Sequence, residues 1–289
     1  MKLSLIIHFV LILSSCTATF AGSSVTLNGK IRNPISDGIS VSYSDSWIGY
    51  IPITIAARLD KDGNFSLTFP LEHAFDEIFN SHGNQMTELF PEPGDNLEMT
   101  LDAKNFDSTI HYTGKGAAEA NFIAKHMLFS GMSRQFGALL NHYCKDSADS
   151  FIAEINAAMK KEIDFSDANG QQLSPSFKKY WKAFFQYHVY NIMLDYALYH
   201  TISQQHSYAV KIPKENYSIT SEVTVKFDDD LLHVNTYRYY VGKYYGEQLN
   251  AKAAINDKPK IDDAEEVSLS YKNMPPKSAE VYCATNCSW

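Results

Sequence analysis

The sequence predicts an α+β protein: an N-terminal antiparallel β-sandwich or partial barrel, followed by an α-helical domain. Short segments in which apolar and polar residues alternate, separated by Gly, Pro, Asn and Asp, fill residues 25–113. From Gly116 the spacing of apolar residues changes to three or four, which is typical of amphipathic helices. We therefore predict a β-sandwich domain over 25–113, an α-helical domain over 116–255, and a polar linker with a C-terminal tail over 256–289.

The predicted strands are short, and turn residues separate them. They are Val25–Ile31, Gly38–Tyr43, Ile51–Leu59, Phe65–Phe69, His73–Phe79, Met86–Phe90, Leu97–Leu101 and Ser108–Tyr112. Pro93-Gly94-Asp95 supplies a fixed φ, a residue that tolerates positive φ and a side chain that bonds to its own backbone, so it predicts a turn. Asp60, Asp62 and Asn64 have the spacing of calcium ligands, but Gly63 is misplaced for an EF-hand loop, and a hairpin turn explains this stretch better.

The helical domain has clear boundaries. Ala117–Met132 is helix-forming, and the stripe Phe151, Ile152, Ile155, Met159 and Ile163 marks a second helix. Ser174 followed by Pro175 predicts the start of a third helix, so rich in aromatic residues that we expect it to be buried among other helices. Asp228-Asp229-Asp230 suits the positive end of a helix and is not expected to hold a metal.

Composition limits the functional classes. The net charge of -8 and the absence of a basic stripe argue against nucleic-acid binding. The chain has 18 Tyr and 17 Phe, which we interpret mainly as core residues. A sugar- or peptide-binding face with exposed aromatics, including Trp47 or Trp181, stays an alternative.

The N-terminus predicts export. Met1-Lys2 precedes an apolar run from Leu3 to Leu13 that is too short to span a membrane, so residues 1–15 are predicted to be a signal peptide. Leu13-Ser14-Ser15-Cys16 resembles a bacterial lipobox, which implies cleavage before Cys16 and lipidation of that residue. The protein would then be exported to the periplasm or cell envelope and anchored there to a membrane by its lipid. Ordinary cleavage after Ala21 is the alternative.

The remaining cysteines give no recognisable redox or metal site. Cys283 and Cys287 are candidates for a local disulfide, but their spacing differs from Cys-x-x-Cys. Cys144 follows apolar residues and is predicted to be a core thiol. Ser176-x-x-Lys179 matches a serine-hydrolase motif without its companion motifs, so we assign it to a helix start. No catalytic residue, cofactor or metal is predicted.

Several features together resemble one family. They are the exported start, the opening strand Val25–Ile31, Pro93-Gly94-Asp95 before a strand, Tyr112-Thr113-Gly114-Lys115-Gly116 with Asn121, and the helices rich in Tyr and Phe. The chain looks like the N-terminal region, over about 25–252, of exported bacterial thiol-disulfide oxidoreductases of the TlpA/ResA type that carry a β-sandwich domain of unknown function.

That resemblance implies a thioredoxin-like domain with a Trp-Cys-x-x-Cys site after the helices. No Cys-x-x-Cys occurs in this sequence, so no catalytic residue is carried over. We expect a non-catalytic envelope module that interacts with a protein partner or positions a redox domain. The alternatives are a glycan- or peptide-binding lipoprotein, an oxidoreductase truncated before its thioredoxin domain, or an unconventional redox pair at Cys283 and Cys287. The sequence leaves the oligomeric state open.

Overall fold

The computed structural model describes residues 24–44, 52–74, 78–130, 147–206, 227–243 and 262–286, together with the isolated positions 212, 213, 219 and 246. Eight strands come first: β1 (Ser24–Arg32), β2 (Gly38–Tyr43), β3 (Ile53–Arg58), β4 (Asn64–Pro70), β5 (Ile78–His82), β6 (Gln85–Leu89), β7 (Asn96–Asp102) and β8 (His111–Lys115). The helices are α1 (Phe106–Thr109), α2 (Ala117–Ser130), α3 (Ala148–Asn169), α4 (Pro175–Gln205), α5 (235–243), α6 (Asp263–Asn273) and α7 (Pro276–Asn286). The predicted α+β fold class is confirmed.

The strands form two four-stranded sheets. The first has the order β4-β1-β7-β8 and the second β3-β2-β5-β6. One pair departs from the antiparallel prediction: β1 and β7 run parallel, with Leu27 opposite Leu97. The whole second sheet lies between these two strands in the sequence, so no hairpin fixes their relative direction.

The core of the sandwich follows the predicted alternation. In β4 and β7 every second side chain is buried, and the side chains between them are exposed. The buried ones are Phe65, Leu67, Phe69, Leu97, Met99 and Leu101. Each sheet therefore turns one apolar face towards the sandwich interior, as the period of two requires.

The turn at Asp60 was predicted as a hairpin, and that prediction is wrong. Asp60 Oδ1 does accept hydrogen bonds from the backbone N–H groups of Asp62 and Asn64, both at 2.8 Å. The hydrogen bonds from Asn64 lower the pKa of the Asp60 carboxyl group. However, β3 pairs with β2 and β4 pairs with β1, so this turn carries the chain from one sheet to the other.

Asp95 organises the predicted turn before β7, and this turn is confirmed. Its Oδ2 accepts a hydrogen bond from the backbone N–H of Glu92 at 2.8 Å, and Gly94 has a φ of 83°. The backbone carbonyl of Asp95 accepts from Thr26 at 3.0 Å, and its Oδ1 lies 3.3 Å from Lys115 Nζ. Asp95 thereby joins the beginning of β7 to β1 through its backbone carbonyl and to the end of β8 through its buried carboxylate.

Asn121 holds α2 against the edge strand β8. Its side chain accepts a hydrogen bond from the Tyr112 backbone N–H at 2.9 Å and donates one to the Tyr112 carbonyl at 2.7 Å. The amide thus takes the place that a further strand would occupy at this sheet edge. The chain passes from sheet to helix at a fixed position.

The aromatic helix begins where the sequence predicts. Ser174 Oγ accepts a hydrogen bond from the backbone N–H of Phe177 at 3.2 Å, and Pro175 occupies the first helical position. Most of its aromatic side chains are buried: Phe177, Tyr180, Trp181, Phe185, Tyr187 and Tyr196. None of the helices in the described part of the chain combines the length and apolar character needed to cross a membrane.

The C-terminal region differs from the predicted linker and tail. Residues 256–261 lie outside the described residues, but α6 and α7 occupy much of the remainder. Asp262 caps α6 by accepting from the Glu265 backbone N–H at 2.8 Å, and Tyr282 of α7 is fully buried. Asp229 does lie at the positive end of a helix, but the helix is α7: its carboxylate accepts from the Ser278 N–H at 2.9 Å.

Phe90 joins the sandwich to the helices. It directly follows β6, and its ring stacks on Tyr180 with 4.1 Å between centroids. The same ring meets Phe177 edge-on at 5.4 Å. Although Phe90 is contributed by the β part of the chain, it belongs to the apolar core of the helices.

We predict that Phe90→Ala lowers the free energy of unfolding by about 3–5 kcal/mol, because it leaves a cavity between two rings of α4. Urea unfolding followed by circular dichroism measures this change. The control is Leu128→Ala on α2, whose side chain is 53% exposed and should change stability by less than about 0.5 kcal/mol. Equal effects of the two substitutions would contradict this role of Phe90.

Candidate functional site

A groove lies between α3 and α4, which are joined by the short turn 170–174. Its volume is about 740 Å³. The lining residues follow helical spacing along one face of each helix. They are Met159, Glu162, Ile163, Ser166, Asp167 and Gly170 on the α3 side, Gln171 and Leu173 in the turn, and Lys178, Trp181, Lys182, Phe185 and Gln186 on α4. We call this the α3–α4 groove.

Trp181 forms part of the groove wall and is held in place. Its indole N–H donates a hydrogen bond to Ser166 Oγ across the two helices at 3.0 Å. Phe122 meets the indole edge-on at 4.9 Å, and Phe177 stacks on it at 5.7 Å. An apolar surface that is rigid before a ligand arrives costs little ordering entropy on binding.

A buried His–Glu pair lies beside the indole. His126 Nε2 and Glu162 Oε2 are 2.7 Å apart, and the side chains are 11% and 3% exposed. Four aromatic rings surround the imidazole: Trp181 at 4.8 Å, Phe165 at 5.3 Å, Phe185 at 5.5 Å and Phe129 at 6.1 Å. A carboxylate in such surroundings requires a hydrogen-bond partner, and His126 supplies it.

A smaller cavity lies on the other side of this wall. Its volume is about 240 Å³, and it is enclosed by β5, β6, α2 and α4. Trp181 and Phe185 line both cavities, while Glu162 faces the groove and His126 the smaller cavity. His188 also lines the smaller cavity, and burial lowers its pKa to about 4, against the opposing influence of the Glu162 carboxylate.

The exposed charged side chains of the groove lining are two lysines and one aspartate. Lys178 and Lys182 line it from α4, and neither forms an ion pair with any described residue. Asp167 lines it from α3 and is likewise absent from the ion pairs of the described residues. Glu162 is buried against His126, so at the exposed surface of the groove two lysines face one carboxylate, that of Asp167.

Of the four cysteines considered as candidate site residues in the sequence analysis, the described part of the structure contains Cys283. Cys283 is buried, and its sulfur lies 3.5 Å from Ser270 Oγ. Cys16, Cys144 and Cys287 lie outside the described residues, so lipidation, the core thiol and the Cys283–Cys287 disulfide stay predictions.

Two further residues from the sequence analysis can be located. Trp47 lies outside the described residues, whereas Trp181 is 8% exposed, too buried for the exposed aromatic face that was considered. Ser176 hydrogen-bonds to the Glu92 carboxylate, and its hydroxyl lies 3.1 Å from Ser174 Oγ, which agrees with a helix start. Among the described residues, no group of three His, Cys, Asp or Glu side chains could hold a metal ion.

The sequence analysis missed the groove, although the four-residue spacing of two lysines on α4 was visible in the sequence. Ile163 was assigned to the apolar stripe of α3, yet it is 54% exposed and lines the groove. Lys178 and Lys182 are spaced by four residues and so share one face of α4. The His126–Glu162 contact joins residues 36 positions apart, so no local pattern could reveal it.

Comparisons with known proteins identify no family. No protein-family model matches the chain, and no curated protein is significantly similar to it. One solved structure that resembles part of the chain is described as a "putative cell adhesion protein from Bacteroides ovatus". It is 10% identical with a TM-score of 0.22, and the match covers 32% of this chain and 43% of that chain. This likeness supports no functional inference.

We predict that Glu162→Ala lowers the free energy of unfolding by about 3 kcal/mol, because His126 loses the hydrogen-bond partner that the described residues give it inside an aromatic cluster. Glu162→Gln keeps the shape and one acceptor, so it should cost about 1–2 kcal/mol. Asp164→Ala removes the exposed Lys160–Asp164 pair on the same helix and should cost less than about 0.5 kcal/mol. Chemical unfolding measures the free energy of unfolding of the three variants. Similar decreases for Glu162→Ala and Asp164→Ala would contradict a stabilising role of the His126–Glu162 pair.

A pH dependence follows from His188. Its pKa is about 4 in the folded protein and about 6.5 in an unfolded chain, so between these pH values the unfolded state binds more protons. The free energy of unfolding should therefore fall as the pH is lowered from about 6.5 to 4. His188→Phe should reduce this fall by about 1–3 kcal/mol, whereas His111→Phe, at an exposed position of β8, should leave it unchanged. Denaturant unfolding at several pH values measures the slope, and parallel slopes in the wild type and His188→Phe would refute the assignment.

Proposed function

We propose that the chain is a non-catalytic module of the bacterial cell envelope and that it acts by binding an apolar ligand in the α3–α4 groove. The groove itself carries this proposal. Its volume of about 740 Å³ is within the range of small-molecule sites, roughly 300–1,000 Å³, and its walls combine apolar side chains with a few polar groups. Ile163 is exposed there, and the Trp181 indole is already fixed by Ser166.

The position of Cys283 supports binding over thiol chemistry. A catalytic thiolate needs access to its substrate, and usually an electropositive, partly exposed position. Cys283 is 5% exposed and faces the Ser270 hydroxyl inside the C-terminal helices. The sequence contains no Cys-x-x-Cys. We therefore rank the unconventional redox pair below a binding role.

The cellular location of the protein and its relationship to a protein family are proposed from the sequence alone. The lipobox-like Leu13-Ser14-Ser15-Cys16 favours a lipid anchor, which would hold the groove close to a membrane surface. The relationship to exported thiol-disulfide oxidoreductases rests on the resemblance described above. In this proposal a partner protein in the envelope remains a further ligand class, beside the small apolar ligand that the groove accommodates.

The test uses a fluorescent probe that carries no charge, N-phenyl-1-naphthylamine, so that its binding reports the apolar character of the groove and not its charge. We predict saturable binding with one probe per chain and a loss of affinity of at least about tenfold in Ile163→Trp, which fills the groove with an indole. Ile35→Trp introduces the same ring at a position that is 51% exposed and is not part of the groove lining, so it should bind like the wild type. No saturable binding, or equal binding by both variants, would overturn the proposal.

A further inference from the structure

The chemical class of the groove ligand can be argued from the charges on α4, and this inference rests on the proposed binding function. Lys178 and Lys182 both line the groove and are four residues apart on one helix. Like charges at this spacing repel each other and destabilise a helix slightly. In this structure both lysines line the α3–α4 groove from the α4 side.

The position of Lys178 along the helix is also unfavourable. It is the fourth residue of α4, next to the positive end of the helix dipole, which favours acidic side chains, whereas Lys182 lies one turn further along. The first turn contains no acidic residue of its own. Glu119 accepts a hydrogen bond from the Ser174 N–H at 2.8 Å, and Glu92 one from the Ser176 hydroxyl, but neither carboxylate is in the described ion pairs with a lysine of α4.

A bound anion would offset the repulsion between the two lysines. Positions where a sequence violates a local rule without compensation are often functional. A negatively charged group between Lys178 and Lys182 screens this repulsion. Glu162 is buried against His126, so the exposed charges of the lining are the two lysines and Asp167 on the opposite wall, which favours an anion over a cation.

The remaining walls define the body of the ligand. Met159, Ile163 and Leu173 provide aliphatic surface, and Trp181 and Phe185 provide aromatic surface. Such a lining favours a hydrocarbon chain, since each buried methylene contributes about 0.8 kcal/mol. The lysine stems add to this apolar surface while their ammonium groups stay at the rim.

From these observations we infer that the α3–α4 groove binds a small apolar carboxylate, with its hydrocarbon chain along Ile163 and Trp181 and its carboxylate between Lys178 and Lys182. The ligand is held without covalent change. The two ammonium groups select the headgroup, and the apolar walls supply most of the affinity. A lipid-like acid of a single alkyl chain fits this description, and a quaternary ammonium of equal chain length does not.

The test protein is the full chain with Cys16→Ser, so that no attached acyl group competes for the groove. Isothermal titration calorimetry measures the affinities of dodecanoate, dodecanol and dodecyltrimethylammonium. The ligand concentrations are kept below those at which the compounds form micelles. Trp47→Phe and Trp289→Phe leave Trp181 as the remaining tryptophan, whose fluorescence reports binding at the groove wall. We expect dodecanoate to bind at least about tenfold more tightly than the ammonium compound, and the difference to shrink with added salt.

The decisive variant is Lys178→Gln with Lys182→Gln, which keeps the length of both side chains close to the original. Dodecanoate affinity should fall about tenfold or more, while dodecanol affinity changes less than about twofold. Lys160→Gln with Lys161→Gln removes two exposed lysines of α3 that do not line the groove, so it should bind like the parent.

The outcomes separate the inference from the proposed function. If dodecanol and the neutral probe bind but dodecanoate shows no preference, or the Lys178/Lys182 variant binds it equally well, the inference fails and the binding function stands. Tighter binding of the ammonium compound would also overturn the inference. If none of the compounds binds and Trp181 fluorescence is unchanged, both fail.

Discussion

The stacking of Phe90 on Tyr180 is the contact on which the rest of the structure depends. The ring lies 4.1 Å from Tyr180 and belongs to the helical core, although it directly follows a strand of the sandwich. Glu92 and Glu119 reinforce it by accepting hydrogen bonds at Ser176 and Ser174, where α4 begins. The position of α4, and hence of one wall of the groove, is therefore determined by residues of the sandwich and of α2.

The same helix has two different faces. Its buried face packs Phe177, Tyr180 and Tyr187 into a continuous aromatic core, which burial makes strongly favourable. Its groove face carries Lys178 and Lys182, which form no ion pair with a described carboxylate, and Lys178 lies next to the positive end of the helix dipole. A helix anchored so firmly on one side can tolerate a local electrostatic cost on the other. That asymmetry is the physical basis for placing a binding site here.

Local patterns in the sequence predicted the elements better than their arrangement. Alternation located most of the strands, and Ser174-Pro175 located the start of α4, because these signals act over a few residues. The parallel pairing of β1 with β7 and the His126–Glu162 contact join distant segments, so local patterns do not contain them. The helix α6 could have been found, since Asp262 and Glu265 have the spacing of a capping box that the polar composition obscured.

The central claim, that the groove holds a small apolar ligand, is tested most directly by native mass spectrometry of the Cys16→Ser protein, which lacks the acylated cysteine, purified from its own cells without detergent. The account predicts one non-covalent adduct per chain with the mass of a single apolar acid, retained through gentle ionisation and absent from the Ile163→Trp variant. A chain that carries no adduct under any condition, or the same adduct in wild type and variant, would contradict it.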